Sequence, residues 1–240
     1  MIDQIKIGQI KFNNLKSFDN FDLIIKTVEV SYPTPKLITE SIPFQNGEYD
    51  FTELYGEVFY NNRSVQITFA YEGFKAATRT RLYSLYTKVV NWLYNAGKSD
   101  LIIDYEVGVF KGRVINISPV EILEGTGEIT VEFDCEPFRV YTQTEGNIYW
   151  DNFNFELDCL QETKFDISGT KSIKIINLSA KRISPTVICS SDFDVIKDNI
   201  TYKFKSGTTK DWRFVLDKST NNLTLNGTGT IEFKFVKELI

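Results

Sequence analysis

The sequence predicts a mainly β protein, with an N-terminal β-sandwich or barrel built around one amphipathic helix and an antiparallel β-sandwich in the C-terminal half. Three observations predict it. Apolar and polar residues alternate at period two along many short segments, and one stretch between residues 79 and 97 repeats instead at intervals of three and four. Gly, Asn, Asp and Ser recur between the segments as turn formers. With 240 residues, 42% hydrophobic and 14% aromatic, the chain has apolar material for two ordinary cores. The helical signal ends after Pro137-Phe138-Arg139, so the expected domains are 1–140 and 141–240.

Along the first half, Val65, Ile67, Phe69 and Tyr71 alternate with polar or small neighbours, as do Ile129, Val131, Phe133 and Cys135. Both read as half-buried strands. Between them Leu82, Leu85, Tyr86, Val89 and Leu93 form one face of a helix, with Trp92 and Tyr94 on its aromatic stripe, Arg79, Arg81, Lys88 and Asn91 off it, and Gly97 as its stop. Leu123–Glu128 carries two glycines and predicts a hairpin; no helix follows it, so it is no phosphate loop.

From residue 33 to 57 periodicity fades while Pro33, Pro35, Pro43 and Asn46-Gly47 punctuate the chain. Ile42, Phe44, Tyr49, Phe51, Leu54 and Tyr55 are too apolar for a solvated loop. A projecting loop or loose hairpin that docks on a neighbouring subunit is expected.

In the second half Phe153, Phe155 and Leu157, then Ile173 and Ile175, then Ile200, Tyr202 and Phe204 read as strands. Leu223 and Leu225, then Ile231, Phe233 and Phe235 follow, with Leu225–Ile231 as a hairpin between them. Regular spacing of this kind predicts a sandwich.

Several function classes are disfavoured. The chain contains no histidine, which removes Ser-His and Cys-His dyads and HExxH zinc sites. Cys135, Cys159 and Cys189 are odd in number and far apart, so reduced, packed thiols are expected in place of disulfides or a metal pair. The carboxylates are scattered and read as solvated. A net charge of −5 gives no basic footprint for gripping nucleic acid. No apolar run reaches the length of a membrane span and Met1–Lys6 lacks a signal-peptide pattern, so synthesis as a soluble cytoplasmic protein is expected. No catalytic, cofactor or metal residue is assigned, and the chain is not expected to be an enzyme.

Several strings, taken in order, resemble the distal tail protein family of siphophages. Pro43-Phe44-Gln45-Asn46-Gly47 leads to Tyr49-Asp50-Phe51, and Tyr60-Asn61-Asn62-Arg63 opens a strand; phenylalanine and glutamine stand where the family usually has glycine and arginine. Lys111-Gly112-Arg113-Val114 and Cys135-Glu136-Pro137-Phe138-Arg139 resemble later family strings, and Ile175-Ile176-Asn177 with Ile183-Ser184-Pro185-Thr186 resemble landmarks of its C-terminal domain. The resemblance covers about residues 15–140 and 170–190.

It implies a tail-tube-like N-terminal domain assembling as a homo-hexamer and a peripheral galectin-like sandwich. The ring would be a baseplate hub at the virion tail tip, made in the bacterial host's cytoplasm. It would join the tail-tube protein to adhesin or receptor-binding proteins and let DNA pass without specific binding. Pro43, Asn46, Gly47, Tyr49, Asp50, Tyr60, Asn62 and Arg63 are the implied ring-interface candidates. Asn62 and Arg63 could equally serve within one subunit, Arg63 in a strand-end ion pair. Six copies at −5 each carry about −30, and a carboxylate-lined lumen would let a phosphate chain slide. Two rival readings remain: a carbohydrate-binding module stacking sugars on Tyr149, Trp150 and Trp212, and a two-carboxylate glycosidase.

Overall fold

The computed structural model describes residues 8–71, 78–104, 106–123, 126–147 and 153–240. The chain divides into two compact units, Met1–Arg139 and Val140–Leu239. In the first, the strands are β1 (Ile10–Phe12), β2 (Leu15–Lys16), β3 (Leu23–Val30), β4 (Thr39–Glu40), β5 (Tyr49–Asp50), β6 (Arg63–Tyr71), β7 (Ser99–Ile103), β8 (Phe110–Ile117), β9 (Glu121–Leu123) and β10 (Thr126–Cys135). Its helices are α1 (Ser17–Phe21) and α2 (Arg79–Asn95). The short α1 is not legible in the sequence pattern.

The main sheet runs β2-β1-β7-β8-β10-β6-β3, with β9 added on β10, and curls into a half-barrel. Every pairing is antiparallel. Period-two alternation decides its faces. Val65, Ile67 and Phe69 of β6 pair with Phe133, Val131 and Ile129 of β10, and Tyr71 pairs with Leu23 of β3; all are buried. The α2 face that covers them buries Leu82, Tyr86, Val89, Trp92 and Leu93, each such side chain worth roughly 1.5–3 kcal/mol of transfer free energy. Trp92 donates its indole N–H to the Phe12 carbonyl at 3.0 Å and stacks on Phe21. The Thr78 side chain caps the helix start, and Gly97 follows its end at a φ of +60°. Tyr94 departs from the expected stripe: it is 52% exposed, because it falls off the face that Trp92 and Leu93 turn to the sheet.

The second unit contains β11 (Arg139–Thr144), β12 (Lys164–Asn177), β13 (Thr186–Cys189), β14 (Phe193–Lys197), β15 (Ile200–Phe204), β16 (Gly207–Thr209), β17 (Ser219–Lys234) and β18 (Val236–Leu239). β11 pairs with β18, and the larger sheet runs β15-β14-β17-β13-β16, with β12 along the other edge of β17. On that shared edge Thr224–Gly227 pair with β14 and Ile231–Lys234 with β13. One long strand therefore serves two sets of neighbours around a single core that includes Ile175, Val195, Phe214, Leu225 and Phe233.

Two sequence expectations are corrected here. Leu225–Ile231 is no hairpin, since β17 passes straight through it. Gly227 and Gly229 imitate a turn signal but serve close approach: a Cβ at Gly227 would lie 2.6 Å from the Phe193 ring, and Gly229 holds a φ of +132°. Nor are residues 153–157 a strand. The Asn154 side chain accepts from the Glu156 and Leu157 N–H groups, and Asp158 Oδ2 accepts from the Asn154 N–H, folding the segment into a turn that leaves Phe155 exposed. The cysteines are free, with Cys135 and Cys189 buried and Cys159 half-buried. Burial pushes the Cys135 thiol up to about 12 and that of Cys189 to about 11, so neither is a reactive thiolate.

Candidate assembly interface

The weakly periodic stretch after β3 is a hairpin extension of the β3/β6 pair. Beyond the last paired residues, Val30 and Val65, the ladder continues through Ser31 N–H to Ser64 O, Asn61 N–H to Thr34 O and Lys36 N–H to Phe59 O. Further out β4 and β5 pair only with each other, Thr39 opposite Asp50 and Glu40 opposite Tyr49. The backbone thus satisfies itself locally while the side chains do not.

Between residues 33 and 57 only Pro33 and Thr52 are buried. Phe44 is fully exposed, and Leu37, Leu54 and Tyr55 are 73%, 67% and 77% exposed. Scattered exposed apolar residues need no explanation, but this many large ones on one projection make it a candidate interaction surface. Phe44 also holds a φ of +67°, a left-handed conformation that costs a bulky residue about 1–2 kcal/mol.

Pro43, Asn46, Gly47, Tyr49 and Asp50 cluster at the outer part of this arm, and all are exposed. Tyr49 stacks on Phe51, and its hydroxyl accepts from Gln45 Nε2 at 3.1 Å. The Thr52 side chain, and then the Thr52 N–H that donates to Asp50 at 2.8 Å, pulls the Asp50 carboxyl below the ordinary value. Tyr60, Asn62 and Arg63 lie instead at the arm's root. Tyr60 meets Phe138 edge to face, and Asn62 Nδ2 donates to Asp134 at 2.9 Å within the same unit.

Arg63 is 2% exposed and forms no ion pair among the described residues. It occupies the same inward phase as Val65 and Ile67, with its guanidinium 5.7 Å from the Phe110 ring centroid. Its Nε and Nη2 have no hydrogen-bond partner among the described residues. Burial, and then the nearby Arg139, pulls its pKa below the ordinary value. Arg139 is paired with Glu106 at 2.9 Å. Tyr32, 81% exposed, and Leu37 were not singled out by sequence reasoning; an apolar residue without a period gives little signal at the edges of such a segment.

The opposite face of the half-barrel is polar. Glu29, Glu128, Glu132 and Asp134 share it with Lys26 and Arg113, and Lys26 pairs with Glu128 at 2.5 Å. Asp100 stands across from Lys111, and Asp134 from Arg113, so opposite signs face each other across the strands. In the second unit Trp212 is 81% exposed, beside the Arg213 guanidinium clamped on Asp211. Tyr149 and Trp150 lie outside the described residues. No cluster of three or more potential metal-ligating side chains occurs among the described residues, and none of their helices is long and apolar enough to cross a membrane.

No protein-family model matches the sequence, and no curated protein matches it. The fold, in contrast, has a solved counterpart: the Dit protein (gp 19.1) of phage SPP1, a paradigm of the hub adsorption apparatus in phages infecting Gram-positive bacteria. The similarity has a TM-score of 0.67 at 14% identity and covers 98% of this chain and 100% of that one. Chains of the phage p2 baseplate in its activated conformation align more loosely over 97% and 96% of this chain, with TM-scores of 0.39 and 0.40 and identities of 10% and 11%. Over nearly its whole length the chain has the fold of a phage hub protein.

Proposed function

We propose that this chain is a structural protein of a siphophage or prophage tail, a distal tail protein whose six copies close into the hub ring of the baseplate. The observation that carries this is the correspondence in fold with the SPP1 hub protein, which takes in both units. The arm supports it independently. A cyclic ring needs one surface to meet a different surface on the next copy, and an apolar hairpin with self-satisfied backbone supplies one half of such a contact.

On this reading the first unit builds the ring and the second projects as a peripheral module. Tail-tube protein on one side and adhesin or receptor-binding proteins on the other are the partners, and no chemistry is catalysed. The polar face of the half-barrel lines the channel. Among the residues named on that face Glu29, Asp100, Glu128, Glu132 and Asp134 are interleaved with Lys26, Lys111 and Arg113, so acids outnumber bases, which supports a lining that does not hold phosphates.

Light scattering of the purified chain, followed by imaging of the main peak, tests the proposal. A hexamer or a pair of hexamers with a central hole is expected, and Phe44→Asp with Tyr55→Asp should abolish the ring while leaving the unfolding midpoint of the chain unchanged. A monomer that stays monomeric when mixed with its tail-tube protein would overturn it. The exposed Trp212 beside the two-bond Asp211–Arg213 pair favours a second reading, sugar stacking by the second unit. Glycan-array binding lost in Trp212→Ala would establish that as an added function.

A further inference from the structure

In the second unit one lysine and two carboxylates are sealed from water. The side chains of Lys237 on β18, Asp158 in the segment before β12 and Glu145 just after β11 are 0%, 0% and 1% exposed. Lys237 Nζ contacts Asp158 Oδ1 directly, donates to the Leu157 carbonyl at 2.8 Å and lies 3.8 Å from Glu145 Oε1. The Tyr141 ring centroid is 4.2 Å from the same nitrogen. Asp158 Oδ2 accepts from the Asn154 N–H at 2.8 Å and the Tyr141 hydroxyl at 3.4 Å. Glu145 Oε2 accepts from Gln161 at 2.9 Å, while its Oε1 has no hydrogen-bond partner among the described residues.

An ordinary buried ion pair matches one acid with one base. Here two carboxylates share one ammonium where charge is expensive, so the neutral forms are favoured. Burial lowers the Lys237 pKa and raises that of Glu145. A desolvated amine held against a carboxyl group is an activated nucleophile, and fixing the two together removes most of the entropic barrier to their reaction.

We propose that Lys237 and Asp158 become joined by an intramolecular amide bond, with Glu145 carrying the proton. Transfer of the Lys237 proton to Asp158 leaves a neutral amine and a carboxylic acid. Nζ attacks Cγ, forming the C–N bond as the carbonyl electron pair moves onto Oδ2, where the Asn154 N–H and the Tyr141 O–H receive it. Glu145 takes a proton from the nitrogen and returns it to the Oδ1 hydroxyl; the C–Oδ1 bond breaks and water leaves. Amine and acid become amide and water, with no oxidant, reductant or cofactor consumed. Exclusion of bulk water opposes the reverse reaction. The bond ties the last strand to the segment that enters β12, and it stands or falls independently of the hub reading.

The intact mass of the full-length chain, measured under denaturing conditions, decides the matter. The expected mass is one water below that of the sequence, with a proteolytic fragment in which the Asp158 and Lys237 peptides are joined. Glu145→Gln, close to isosteric, should stay folded by circular dichroism and keep its full sequence mass. A wild-type chain at full mass overturns the proposal, as does a water loss mapped to another residue. A deficit that persists in Glu145→Gln removes Glu145 from the reaction and overturns the mechanism. If that variant fails to fold, the wild-type mass and its fragment map still decide whether the bond exists.

Discussion

Arg63 in the first unit and Lys237 in the second are both cations withdrawn from water, yet they are housed in opposite ways. Arg63 sits at an inward strand position against the face of Phe110 with no acid paired to it among the described residues, whereas Lys237 has two buried carboxylates and a backbone carbonyl around a single nitrogen. The difference follows from the groups. A guanidinium spreads its charge over a plane, is weakly hydrated and tolerates an aromatic face; an ammonium is a compact charge that burial must either pair or neutralise. Charge without a partner on one side and excess partners on the other show that burial alone does not say what a charged residue contributes.

Replacing each cation by methionine, similar in length and uncharged, sharpens the contrast. Lys237→Met removes the amine, joined or free, and leaves Asp158 and Glu145 buried without a basic partner, so it should cost at least about 3–5 kcal/mol in urea unfolding, the amount typical of a buried pair broken on one side. Arg63→Met leaves no orphaned carboxylate, so the chain should be unchanged or more stable by about 1 kcal/mol. Destabilisation of Arg63→Met on the scale of Lys237→Met would break the comparison and mean that Arg63 has an acceptor after all. Loss of the ring with stability intact would instead place Arg63 in the contact between copies.

The same contrast marks what could be read from the sequence. Strands β6 and β10 and helix α2 follow their apolar periods residue by residue, because burial on one face is what those periods record. Arg63 shares the phase of Val65, Ile67 and Phe69, but its charge leads a sequence reading to an interface or a strand-end ion pair, and the phase is what decides where it points. The arm was legible as a stretch too apolar for a loop and too irregular for a core element. Gly227 and Gly229 misled because glycine signals both turns and close approach, and the Phe153-x-Phe155-x-Leu157 alternation misled because the side chains of Asn154 and Asp158 redirect the backbone. The group around Lys237 carries no signal of either kind. Tyr141, Glu145, Asp158 and Lys237 come from separate segments, and only the tertiary fold brings them together.

The smallest effect expected is on the pH dependence of stability, and it separates the two ways of housing Lys237. Burial first of all raises the Glu145 carboxyl above its ordinary value of 4.5, so between that value and its folded pKa the native chain holds a proton that the unfolded chain has released. Stability from this source is fully present below 4.5 and is lost as pH rises through the folded pKa. The difference in urea midpoint between wild type and Glu145→Gln should therefore shift in favour of wild type as the solution is acidified through that window. Lys237, if it remained a free amine, would act at the other end. Desolvation lowers it from 10.5, so its contribution would be present above 10.5 and lost as pH fell through the folded pKa. An amide does not titrate. A chain joined at Asp158 keeps the acid limb contributed by Glu145 and lacks the alkaline limb of Lys237, whereas an unjoined ion pair shows both. Comparing midpoints on the two sides of neutrality thus reads the chemical state of one buried nitrogen from the behaviour of the whole chain.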